Sequence, residues 1–155
     1  HWTQNRYALS RRLWRALYLL MNQIIIYPNE VKNIVLEGIN FPSNTFIEFI
    51  IDGEPFHELE AFEDGTVYWP ELLASAKREG DFLLFTCVCG VAQDAGWELI
   101  KVSHTSSEII WEFVRNGDQY FVFEKQSYIK QIEHCAKLLN LTEFPLAIEH
   151  AAFPD

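Results

Sequence analysis

Short apolar runs broken by turn dipeptides constrain this chain more than any other feature. Residues 45–69, TFIEFIIDGEPFHELEAFEDGTVYW, hold two Asp-Gly pairs, Asp52-Gly53 and Asp64-Gly65. Asp-Gly tolerates the positive φ angles of tight hairpin turns, so alternating apolar residues on either side mark paired strands. Ahead of Asp52, residues Phe46, Glu48 and Ile50 fall on one strand face, and Ile47, Phe49 and Ile51 on the other, drier one. Further on, WELIKVSH, EIIWEFV and QYFVFE follow one another across turns at 105–107 and 116–118. This spacing predicts a hairpin meander.

Two stretches carry helical signals. In WPELLASAKREG, Pro70 suits the first helical position and Gly80 the position after the end, with Glu71 near the positive pole and Lys77 and Arg78 near the negative one. Over 127–139, Tyr128, Ile132, Cys135, Ala136 and Leu139 share one face, and Asn140 is placed to cap the C-terminus. QIIIY and NIVLEGI read as short strands separated by a turn at Pro28-Asn29. DFLLFTCVCG reads as one central strand, apolar on both faces, and the tail after Pro145 as one more short helix. The expected fold is α+β: a curved antiparallel β-meander sheet with two packed helices and an extra N-terminal helix.

That N-terminal helix is the basic stretch 1–20, where Leu9, Leu13, Leu17 and Leu20 share a face and four arginines meet no acid. The only methionine is Met21, so the expectation is a non-native extension of 1–20 and a natural start at Met21, with a single α+β domain over 21–155. A helix docking on the acidic body and a membrane or targeting segment are the other readings. The chain has 12 basic and 22 acidic residues; with the four N-terminal arginines set aside, eight basic residues remain and the body stands at −14. Such a body repels nucleic acid and anionic membranes and attracts basic partners. No apolar run reaches the roughly 20 residues of a transmembrane segment.

The cysteines are Cys87, Cys89 and Cys135. Three cysteines make no disulfide framework, and in an extended strand positions i and i+2 lie about 6.5–7 Å apart, too far for a relaxed bridge. Reduced thiols and a cytoplasmic location are therefore expected. Cys87 and Cys89 are read first as small core residues. The alternative is a zinc site that adds Asp94 and His104, and a redox pair is the third reading. No hydrolase elbow, phosphate loop, dinucleotide fingerprint or metalloprotease motif is present.

The layout Asp52-Gly53-Glu54-Pro55 with Glu58-Leu59, then Trp69, then Leu84 to Gly90, Gly96 and Trp111 resembles that of a group of small uncharacterised bacterial proteins, over roughly residues 24–125. Those relatives carry a third cysteine where this chain has Asp94. If their cysteine cluster holds a metal, the resemblance implies that this chain has lost or altered it. No activity comes with the resemblance.

The leading expectation is an acidic, non-enzymatic binding protein with no cofactor, such as an immunity-type inhibitor that masks a basic toxin domain. Its contact surface would be the acidic run Glu54, Glu58, Glu60, Glu63 and Asp64, helped by an aromatic anchor; Trp69, Trp97 and Trp111 are candidates for either core or interface. A metal- or thiol-dependent domain built on Cys87 and Cys89 is the alternative.

Overall fold

The computed structural model describes residues 20–140 and 146–155. Of the helix expected over 1–20, residues 1–19 lie outside them.

The class is α+β and the strands pair antiparallel within each sheet, but they divide among three sheets, and three isolated bridges are parallel. The first orders β1 (Ile24–Leu36), β2 (Ile39–Ile51) and β3 (Glu54–Pro55). The second pairs β4 (Thr66–Val67) with β6 (Phe85–Thr86). The third orders β5 (Gly80–Phe82), β7 (Ile100–His104), β8 (Glu108–Val114) and β9 (Asp118–Glu124). Helix α1 is Trp69–Ser75 and α2 is Lys125–Asn140.

The expected turn at Pro28-Asn29 is not a turn. Pro28 pairs with Ile47 and Asn29 with Phe46 inside one 13-residue strand. Proline is tolerated there because β1 lies at the edge of its sheet. The reversal comes at Glu37-Gly38, whose φ angles of 49° and 77° are those of a two-residue hairpin turn. Asp52-Gly53, at 53° and 84°, makes the second such turn, as its sequence predicts. Asp64-Gly65 does not join paired strands. Two 3-10 turns, Phe56–Glu58 and Glu60–Phe62, precede it, and β4 pairs onward with β6.

DFLLFTCVCG is two strands, not one. Phe82 pairs with Ile100 in the third sheet, whereas Phe85 pairs with Val67 in the second. Every side chain from Phe82 to Phe85 is buried where the chain crosses from the third sheet to the second. Burial of such side chains is worth about 1.5–3 kcal/mol each, enough to outweigh one continuous ladder. Helix α1 is shorter than expected: Gly80 already begins β5 instead of following a helix end. Helix α2 starts two residues early because Glu124 accepts the Ser127 and Gln126 N–H groups at 2.6 and 3.2 Å. No helix follows Pro145 among the described residues; Leu146 bridges to Thr45 and Ala152 to Val91.

The main core gathers Phe49, Phe62, Phe85, Trp97, Trp111 and Phe123, with α2 laying Tyr128, Ile132 and Cys135 on it. Gln131 of α2 accepts the Ile26 N–H at 3.2 Å and so caps the open edge of β1. A smaller core of Phe41, Phe46, Cys87 and Val88 sits under the far half of the β1–β2 hairpin. That satellite core positions both candidate sites.

Candidate functional site

The twisted β1–β2 hairpin stands away from the 3-10 segment and leaves a groove of about 480 Å³ between them. Its floor is apolar: Phe46, Ile47, Phe56, Phe62 and Val67 are buried beneath it, with Val31, Ile34 and Leu36 half-buried along one wall. Its rim carries four carboxylates, Glu37, Glu48, Glu63 and Asp64, together with His57. Glu48 is held in place by the Tyr27 hydroxyl at 3.1 Å and the Asn29 amide at 3.2 Å. The opposite wall is fixed by Arg115, which lies 3.9 Å over the Trp97 ring, donates to Ala95 O at 2.7 Å and also donates to Glu63 O.

The structure divides the acidic run that the sequence presents as one surface. Glu63 and Asp64 reach the groove, whereas Glu54 and Glu60 border a second depression beside Leu59 and Phe121. Glu58 is exposed and lines neither. The rim is completed by Glu37 and Glu48, which sequence reasoning missed. Glu37-Gly38 between apolar strands was the available signal, overlooked because Pro28 drew the turn to itself. Trp69, Trp97 and Trp111 are all buried, so they are core residues and none of them is an exposed anchor.

At one end of the groove lies the thiol loop. Residues 87–90 form a tight turn closed by Gly90 N–H to Cys87 O at 2.9 Å, with Gly90 at φ +80°. Cys87 is buried in the satellite core and Cys89 is exposed, so the packing expectation fits the first and fails for the second. The sulfurs and one Asp94 carboxylate oxygen lie within 4.8 Å of one another. Cys89 donates to Asp94 Oδ2 at 3.2 Å, and Cys87 donates to Glu37 Oε2 at 3.8 Å. The bond to Cys87 and then desolvation push the Cys89 thiol up to about 11, so it is protonated at neutral pH, which argues against a resting nucleophile. His104 does not join the cluster: its ring bonds to Ser75 O at 2.7 Å, and its N–H is taken by Glu79.

Set against protein-family models, curated proteins and solved structures, the chain matches none. Among the described residues, no helix is long and apolar enough to cross a membrane.

Proposed function

We propose that this chain is a binding protein whose groove accepts a basic, amphipathic segment of a protein partner, in the manner of an immunity-type inhibitor masking a basic toxin domain. The observation that carries this reading is an apolar floor and a four-carboxylate rim in one groove. Carboxylates steer a cationic segment in and fix its register, while its apolar side chains leave water against the floor. A uniformly basic ligand such as a polyamine would use the rim and leave the floor wet. An apolar ligand would use the floor and leave the carboxylates idle.

Two synthetic peptides test the reading, one alternating Leu and Lys and one alternating Ser and Lys, each titrated calorimetrically into the full chain. The Leu-Lys peptide is expected to bind more tightly, with affinity falling as salt rises. The double variant Glu63→Lys/Asp64→Asn is expected to weaken it at least tenfold. Equal binding of the two peptides, or unchanged binding to the double variant, overturns the groove as the contact surface.

A further inference from the structure

The thiol loop has a feature that packing does not require. Each thiol lies within hydrogen-bond reach of a carboxylate: Cys89 of Asp94, Cys87 of Glu37. Each sulfur also accepts a backbone N–H, Cys87 Sγ from Cys89 at 3.4 Å and Cys89 Sγ from Val91. Two sulfurs and two carboxylates thus meet where the β1–β2 turn, the end of β6 and the 93–96 loop converge.

The spacings fit a cation of the zinc class. With metal–sulfur bonds of about 2.3 Å and metal–oxygen bonds of about 2.0–2.2 Å, the edges of a tetrahedron are roughly 3.5–3.8 Å. The observed sulfur–oxygen separations of 3.2 and 3.8 Å bracket that value. Glu37 lies outside the mutual spacing of the other three; its side chain is exposed and stands 3.8 Å from Cys87 Sγ.

Contacts outside the four side chains hold the loop. Ala152 accepts the Ala92 N–H at 2.7 Å and donates to Gly90 O at 2.9 Å, so the C-terminal tail straps the turn from outside. Arg115 holds the far side through Ala95 O. Gln93 and Ala95 are kept at φ 71° and 58°, left-handed conformations that non-glycine residues avoid unless their surroundings impose them.

We infer that Cys87, Cys89, Asp94 and Glu37 form a binding site for one divalent cation of the zinc class. Charge balances in a simple exchange: the cation displaces two thiol protons, two metal–thiolate bonds form, and the two carboxylates turn from accepting S–H groups to ligating the metal. The site carries −2 before and after. Backbone N–H groups already on the sulfurs stabilise the thiolates that result. Two sulfurs select a borderline or soft ion over magnesium or calcium. Glu37 is shared with the groove's rim, so a bound cation would take one of the four rim carboxylates and fix the groove's end beside Val88.

Cobalt(II) titrated into the reduced full chain, followed by displacement with zinc, tests the assignment. One equivalent is expected, with the visible bands of a tetrahedral site, a thiolate-to-cobalt charge-transfer band, and about two protons released per ion at neutral pH. Cys89→Ser and Asp94→Asn change exposed side chains and leave the core intact. Cys89→Ser is expected to halve the charge-transfer intensity at saturating cobalt and weaken binding about a hundredfold, Asp94→Asn and Glu37→Gln about tenfold each. No charge-transfer band in the reduced chain, or Cys89→Ser binding like the unsubstituted chain, overturns the site. Unchanged affinity in Glu37→Gln overturns Glu37 as the fourth ligand. The groove variant Glu63→Lys/Asp64→Asn is expected to bind cobalt normally, which separates a failure here from a failure of the groove.

Discussion

Single contacts decide several local outcomes. A Cβ built on Gly65 would stand 2.6 Å from Trp97 Cζ2, far inside contact distance. Gly65→Ala must therefore displace the indole that Arg115 covers, and we expect a loss of about 1–3 kcal/mol in urea unfolding together with a shifted tryptophan emission. Cys89 is exposed, yet its thiol is raised to about 11. Alkylation by iodoacetamide should be slow at neutral pH and rise about tenfold per pH unit toward 11, with Cys87 and Cys135 protected in the native state; peptide mass mapping checks this. Ser75 donates to Leu72 O at 2.6 Å, so Tyr128 is the donor in the 2.8 Å bond between the two hydroxyls. Tyr128→Phe removes that bond and leaves the Ser75 donor satisfied, for an expected loss of about 1 kcal/mol.

Among the elements, α2 depends on a cap that no favoured N-cap residue type announced. Hydrogen bonds from Ser127 hold the Glu124 carboxyl below its usual range despite partial desolvation. A lowered carboxylate contributes stability above its unfolded pKa and loses it as pH falls through the folded value. Glu124→Ala should cost about 1 kcal/mol at pH 7, and that difference should vanish in acid. Arg115 is the counterpart for loops, joining the 93–96 loop to the acidic wall through its two forks and its ring contact. Lysine has no such fork, so Arg115→Lys is expected to speed amide exchange over residues 93–97 while leaving β7–β9 protected.

For the whole molecule, burial drives the Cys135 thiol from 9.0 to about 12 and raises the Tyr128 phenol as well. Groups kept neutral by folding add stability that is fully present below their unfolded pKa and disappears as pH rises through the folded one. Stability should therefore decline from about pH 9 upward, and Cys135→Ala, weaker at pH 7 through lost packing, should lose less between pH 9 and 11. The sequence by itself determined the antiparallel α+β class, the Asp52-Gly53 and 116–118 turns, the dry face of β2 and the buried face of α2. Each follows from periodicity or from a turn dipeptide, which are local properties. It also determined an acidic composition and a Cys-x-Cys spacing, but not the turn that the two cysteines occupy. Only the tertiary structure decided that Pro28 lies inside a strand, because a proline's tolerance depends on which edge is open. Only packing could break DFLLFTCVCG between two sheets, since both halves are equally apolar. Only packing, again, could set Glu37 beside Cys87, 50 residues apart in sequence, while sending His104 to Ser75. Charge and thiols are written along the chain, but a site is a convergence of side chains, and convergence is settled by which cores the strands bury.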